Sequence, residues 1–513
     1  MADRKVNAAM DSVGEAYVIV LSLALFKLRE KGPSGLMEWW LIVVAAVMAV
    51  VTVALVFYLV VLFSSEDDKN QAWFPKIVVV LSLSLACFNV LILPYDIANR
   101  MDPALQGLPG GGINVTLVWQ IVLYAIAALT FVICPFAMFY YESRDVEQED
   151  MCHQIRPAAL YTLVSLGVFC GLLFLLWLTI GTAAIPFNKY TNNYTAVSSY
   201  SSTPSAYVST YEQGTLDIKV SLFVYLVGLM SAVGWVLFFI FGGVGLTAMP
   251  MDFINAYRDR PIPITAAEYA QKKIEIARET ERLMEEGKKL DEANRSGKSG
   301  KKHNKKVLAF KNQVNDLEQY YEKVEISYKE KGGEILKAWI ALAVGIVATG
   351  LSIAWFFHII LFNIANATPF LNALFIWLDK AFSLLGVLAY AIFAFYLLWC
   401  VVKGCTRVGV NLLLFTVYPM KVNGTLMNAF LFNCILIMLT SVSVIQFCAI
   451  SFKNYAENTS VSTLFTTYVS RLVGVNYVVM YLQYPLVAVS FLALLWLCIC
   501  PRRKIKDDDD DDD

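Results

Sequence analysis

What most constrains this chain is a succession of apolar runs long enough to cross a membrane, interrupted once. In hydrocarbon every backbone N–H and C=O must be satisfied within the protein, so each run of roughly 20 apolar residues reads as one spanning helix. Such runs cover about 39–63, 75–94, 115–141, 158–185 and 222–249, then 338–365, 382–402, 426–450 and 477–500. Between Met251 and Lys331 lies the only long polar segment. With 58% hydrophobic and 16% charged residues, the chain does not read as a string of soluble domains. The expected fold is all-α: a polytopic bundle of about nine transmembrane helices, with a helical hairpin, a coiled coil, between spans five and six. The expected organisation is an N-terminal segment at 1–37, spans one to five in 38–250, the hairpin at 251–334, spans six to nine in 335–500 and a tail at 501–513. Tyr17 to Leu28 in the first segment is short and flanked by basic residues, so it reads as an interfacial helix. Val408 to Tyr418 is likewise too short to span and is expected along the interface.

The insert carries its own periodicity. Val307, Phe310, Val314, Leu317, Tyr321, Val324 and Tyr328 step by three and four, an apolar seam of about three heptads. In the preceding arm Tyr269, Ile276, Leu283 and Leu290 fall seven apart, with Thr280 and Gly287 weakening the complementary positions. Ser296 to Lys306 has no apolar residue and reads as the loop. The bland reading is a solvated pair of helices. The functional one is a partner-binding platform using Phe310, Leu317 and Tyr321, with Lys301, Lys302, Lys305 and Lys306 as a basic tip. Tyr321 to Val324 also matches a YxxΦ sorting pattern, but both ends fall on the seam and are expected to be buried.

Orientation follows from two independent signals. Arg502, Arg503 and Lys504 abut the last span, and Lys403, Arg407 and Lys421 lie between spans seven and eight, which places these ends in the cytosol. The opposite side holds glycosylation sequons at Asn114, Asn193, Asn366 and Asn458. The insert and the C-terminus are therefore expected inside and the N-terminus outside. The ten cysteines avoid the outer loops, so no disulfide framework is expected there.

A search for chemistry is mostly negative. The three histidines, His153, His303 and His358, form no metal-ligand pattern, and no catalytic motif stands where it would work, so neither an enzyme nor a cofactor is expected. The informative polar residues lie at membrane depth, where they are costly unless paired. Asp96 and Asn99 end span two, Glu142 ends span three, His358 lies in span six, and Asn428, Asn433 and Gln446 lie in span eight. Interhelical hydrogen bonding is the bland reading. A cavity for a small polar ligand or a lipid headgroup is the sharper one, with Asp96, Asn99, Glu142, His358, Asn428 and Gln446 as its candidates. The bilayer itself, a cytosolic adaptor or membrane-protein partner, an external ligand and a second copy are the candidate partners. Nucleic acid is not.

Six motifs together resemble one family: DDKNQAWFPK (Asp67 to Lys76), LPYDIANR (Leu93 to Arg100), PFAMFYYE (Pro135 to Glu142), FGGVGLTAMP (Phe241 to Pro250), PMKVNGTLMNAFLFN (Pro419 to Asn433) and SVIQFCA (Ser443 to Ala449). They look like the LIMR family, the lipocalin-interacting membrane receptor and limb-region-like group, and within it the plant and protist branch. The resemblance runs from about Trp39 to the end of the spans. It implies a nine-span protein with an exterior N-terminus and a large cytosolic loop after span five. It also implies a receptor or an escort, as in animal relatives that internalise lipocalins or accompany a cobalamin transporter, at the plasma membrane or an endosomal or lysosomal membrane. It names no ligand for this branch.

Overall fold

The computed structural model describes residues 39–64, 73–98, 114–143, 151–191, 210–295, 301–331, 335–382, 385–408, 410–411, 416–417, 420 and 425–499. It divides into two compact units, 249–350 and the remainder.

Among the described residues nine helices are long and apolar enough to span a bilayer. They are α1 (Trp39–Phe63), α2 (Trp73–Ala98), α3 (Val115–Glu142), α4 (Met151–Ile180), α5 (Leu222–Arg258), α8 (Ile335–Ile364), α10 (Leu385–Arg407), α11 (Met427–Ser451) and α12 (Val475–Ile499). The insert supplies α6 (Ala266–Arg295) and α7 (Lys301–Lys329). The nine-span expectation and its α class therefore hold.

Burial ranks the spans. In α11, 89% of the apolar window is buried, against 6% in α4 and 17% in α12. The eighth span is thus the axis of the bundle, packed by α2, α3, α5 and α10, and its serines, threonines and amides face protein. α4 is peripheral, with Leu160, Leu163, Val168, Leu172 and Leu175 exposed. By sequence, the small-xxx-small spacing of Gly167 and Gly171 in the fourth run permits close helix contact; the structure corrects this, since among the described residues neither has anything within 4 Å of a would-be Cβ. Close approach occurs on α5 instead. A Cβ on Gly245 would strike the Cys400 carbonyl of α10, and one on Gly404 of α10 would strike the Phe241 carbonyl of α5. Two helices crossing backbone to backbone need a glycine from each.

Three pieces differ from expectation. The fourth span stops at Ile180, not near 185. After Gly181 the chain forms strand β1 (Thr182–Thr191), paired antiparallel with β2 (Thr210–Lys219), in which Thr215 to Lys219 alternate polar and apolar residues. The seventh span is preceded by a short helix, α9 (Phe370–Ala381), which buries Leu371, Asn372 and Phe375; twelve residues are too few to register as a span. Third, 459–471 folds back into the first unit through a π-helical segment, Ser462–Tyr468, that packs on α11. Within 408–418, the strands β3 (Val410–Asn411) and β4 (Thr416–Val417) pair as a short ribbon.

In the second unit α6 and α7 lie side by side over a core of Ile276, Leu283, Leu317 and Val324, flanked by Ile264, Tyr269, Phe310 and Tyr320. Thr265 opens α6 with a capping box. The Glu268 amide donates to Thr265 Oγ1 at 3.3 Å, and the Thr265 amide donates to Glu268 Oε2 at 2.8 Å. Gly287, expected to weaken the pairing, is where the Phe310 ring sits: a Cβ there would lie 2.9 Å from Phe310 Cζ. The expected seam is corrected in register. Phe310, Leu317 and Val324 face α6, and the Tyr328 ring stacks on Tyr269 of α6 with centroids 4.2 Å apart, but Tyr320 and Ser327 pack where Val314 and Tyr321, about 40% exposed, were expected. Both flanks lie three or four residues from the first row, and Val314 and Tyr321 fall on the one left open. The YxxΦ pattern consequently has an exposed Tyr321 and a buried Val324. α7 also begins at Lys301, inside the expected loop.

Candidate functional site

The polar contacts of the bundle gather into three groups, two of them on α11 and one on the chain beyond its end. At its last turn the Ser451 carbonyl has no helical partner, as for any helix end. His358 Nε2 and Asn372 Nδ2 each donate to it at 3.0 Å, and Asn363 Nδ2 donates to Ser451 Oγ at 2.7 Å. A carbonyl only accepts, so the His358 proton is on Nε2. Asn372 Oδ1 then accepts from the Tyr455 amide at 3.1 Å, and the Tyr455 hydroxyl donates to Asp379 Oδ2 at 2.6 Å. The His358 ring is stacked by Phe362 and Phe452, with Phe370 edge-on. Its Nδ1 is buried without a hydrogen-bond partner among the described residues.

One turn and a half earlier on α11, Gln446 Oε1 accepts from Ser231 Oγ and, at 2.9 Å, from Trp235 Nε1, both on α5. Its Nε2 donates to Ser470 Oγ at 2.9 Å. Further back, Asn89 of α2 donates to Ser441 Oγ at 3.0 Å.

Asp96 makes the third group. Trp119 Nε1 of α3 donates to its carboxylate at 3.0 Å, and the amides of Ser460 and Val461 donate at 3.1 and 2.6 Å. The carboxylate caps the turn that begins at Ser460, where free N–H groups and the helix dipole both favour an anion. Thr116 and Ser460 hydroxyls meet alongside at 3.0 Å.

The six expected ligand residues are therefore not brought together. Asp96, His358 and Gln446 sit in separate groups, each joining two or more helices. Glu142 is exposed at the end of α3 and Asn428 is half-buried near the start of α11; Asn99 lies outside the described residues. Asn433 is buried and donates to the Ala429 carbonyl of its own helix at 2.8 Å. Ser451, Asn372, Asp379 and Trp119 escaped sequence reading. Asn372 and Asp379, seven apart in an apolar stretch, were the available signal for the first group. An apolar crevice lies between α1, α2, α10 and α11, lined by Val56, Leu83, Leu398, Met420 and Phe430.

Asn114, Asn366 and Asn458 are all exposed, at the start of α3 and just beyond the ends of α8 and α11. Asn193 lies outside the described residues. The Asp96 group joins the end of α2, the start of α3 and the chain after α11, whereas a bridge between Ser64 and Thr425 joins the end of α1 to the approach to α11. These pairings agree with strict alternation of the spans. On the insert, Val314 and Tyr321 form an exposed apolar stripe beside the buried row, and the side chains of Lys301, Lys302, Lys305 and Lys306 lie outside the described residues.

Comparison with known proteins adds the following. A family described as LMBR1-like membrane protein matches residues 41–332. A LIMR family protein of Dictyostelium discoideum is 33% identical over 477 residues, covering 85% of this chain and 92% of that protein. Relatives of the same description in rice (Oryza sativa subsp. japonica) and Arabidopsis thaliana are each 35% identical, covering 86% and 81% of this chain and 92% and 86% of their own. No solved structure matches.

Proposed function

This chain belongs to the LIMR family of LMBR1-like multi-pass membrane proteins, and from that premise we propose that it is a non-enzymatic receptor or escort. It binds a ligand or membrane partner on the outer side and a cytosolic partner through the α6–α7 pair. The observation that carries the reading is the pair Val314 and Tyr321, left exposed beside a seam that is already filled. Large apolar side chains in a row on a polar helix are the form in which helix-in-groove partners are met. The polar groups of the bundle support the same reading. Those of Asp96, Gln446 and Ser451 are spent on joining helices, which gives the outer loops a stiff base. In the proposed orientation the insert and C-terminus are cytosolic, the N-terminus is outside, and the protein resides in the plasma membrane or the endosomal and lysosomal membranes.

A second reading, a transport partner for a small polar molecule or lipid, draws on one observation. His358 Nδ1 is buried and unpartnered among the described residues, and a buried polar atom in that condition calls for a partner.

The test separates folding from binding on the full chain. Leu317→Asp places a charge in the buried seam and should unpair α6 and α7, read as loss of amide-exchange protection over 266–329. Val314→Ser with Tyr321→Ser touches only the exposed stripe and should keep that protection. Both variants should lose the same set of proximity-labelled cytosolic proteins. An unchanged set in the Val314→Ser, Tyr321→Ser variant would refute the platform.

A further inference from the structure

The ribbon of β1 and β2 has one apolar and one polar face. Strand partners Ala183 and Ile218, Ile185 and Leu216, and Phe187 and Gly214 share the first face. The Phe187 ring lies over Gly214, a Cβ on which would be 2.8 Å from Phe187 Cζ. The next rung on this face is Lys189 with Glu212, and there the apolar surface ends. The opposite face carries Asp217, Thr215 and Asn188, with Ala184 and Pro186 across from the first two. Ala183 is buried, but Phe187, Leu216 and Ile218 are 44, 54 and 42% exposed. A two-stranded ribbon is marginal in water and needs its apolar face covered. At its base the ribbon meets Ser462–Arg471 and Leu472, which bury Ala183, but Phe187, Leu216 and Ile218 stay open to the surroundings among the described residues.

We propose that this face lies on the bilayer surface, so that the ribbon is an interfacial anchor. Three observations select lipid. First, the apolar face continues the lipid-facing flank of α4: Leu178 and Ile180 are exposed up to the end of the helix, and Ala183 begins the ribbon face three residues later. Second, the base carries an interfacial pair. Lys219 Nζ lies 4.5 Å over the Trp177 ring, and Trp177 Nε1 donates to the Val220 carbonyl at 2.9 Å. Tryptophan and lysine side by side at a helix end mark the headgroup level. Third, the base is clamped. The Val220 amide donates to Gly181 O at 3.1 Å, the Val473 amide donates to Thr182 O at 3.2 Å, and Ala183 bridges Leu472.

Distance then decides the attitude of the ribbon. The headgroup zone is about 5–8 Å deep on each side. An upright strand would carry Phe187 about 17 Å beyond Thr182, past that zone and into water. Phe187 and Leu216 reach lipid only if the ribbon leans along the surface. The polar face then looks outward, and Lys189 marks where the chain leaves the membrane.

The test uses the full chain in phosphatidylcholine and phosphatidylserine vesicles, with a small fluorescent amino acid placed singly at 187, 216, 215 or 217. At 187 and 216 the fluorescence should be quenched several-fold more by brominated acyl chains than at 215 and 217. Iodide in the buffer should show the reverse order. The unlabelled chain in lipid discs should also protect the amides of both strands from exchange, which covers the case in which a label disturbs the ribbon. Equal iodide quenching on both faces, with rapid amide exchange, would mean that the ribbon stands in water and would overturn the proposal. Protection of 216 that grows with protein density, without quenching by brominated lipid, would assign the face to a second copy and overturn it equally.

Discussion

His358 shows what the sequence can and cannot say about a single residue. A lone histidine inside an apolar run is visible as an anomaly. Its acceptor is not, because the Ser451 carbonyl is 93 positions away and carries no side-chain signature. Asp96 is a stronger case, with partners 364 and 365 positions along the chain. His358→Gln keeps a donor that can reach the Ser451 carbonyl and should be tolerated. His358→Leu should cost roughly 0.6–2 kcal/mol, the range for hydrogen bonds between membrane helices. Thermal unfolding of the purified protein, followed by tryptophan fluorescence, measures the difference. Loss of a ligand-dependent response with unchanged unfolding in both variants would favour the transport-partner reading.

At the scale of elements, α6 carries a pH-dependent start. The donors of Thr265 hold the Glu268 carboxyl below its ordinary range. A depressed carboxylate stabilises the fold above its unfolded pKa of about 4.3, and that contribution is lost as pH falls through the lower folded value. The first turn of α6 should therefore loosen only in acid. Glu268→Gln, which keeps the box without titrating, should show exchange protection that does not change with pH. Wild type and variant behaving alike from neutral to strongly acidic pH would count against this.

The glycines give a second contrast between elements. Gly245→Ala pushes a methyl into the Cys400 carbonyl and should lower the unfolding temperature by several degrees. Gly167→Ala, open on the lipid side, should be neutral or stabilising by about 0.5–1 kcal/mol. A small-xxx-small spacing was legible in α4, but which face of a helix meets protein was not, because peripheral and central spans are equally apolar. The register of α7 failed for a related reason. Leu317 was rightly placed on the seam, yet Tyr320 and Ser327 outcompeted Val314 and Tyr321 for the second row. Which flank of a helix packs is set by the crossing geometry of both helices, and apolarity alone does not fix it.

For the molecule as a whole, the number and order of spans were readable, since a single apolar run of this length can satisfy its own backbone in hydrocarbon only as a helix. The β1–β2 ribbon and α9 were not readable, being short, amphipathic and hidden between stronger signals. The exposed Asn366 and Asn458 fall on one side under alternation of the spans, the side proposed to face outward. Glycan should therefore be found on Asn458 and Asn193, detected as an endoglycosidase-sensitive mobility shift that Asn→Gln variants remove. An acceptor sequon engineered within 296–300 should stay bare, and a glycan there would invert the topology.

The burial of α11 also sets an order of events during synthesis. This helix is the axis of the bundle, yet it is the eighth of nine spans to leave the ribosome. Until residue 446 has emerged, Ser231 and Trp235 lack the Gln446 acceptor and Asn89 has only just met Ser441. For most of translation the first seven spans are thus a shell without a centre, with polar side chains facing one another or lipid across an unfilled gap. A nascent chain halted before Met427 holds seven inserted helices and no finished core, so it presents to membrane quality control the form of a substrate rather than of a shortened protein.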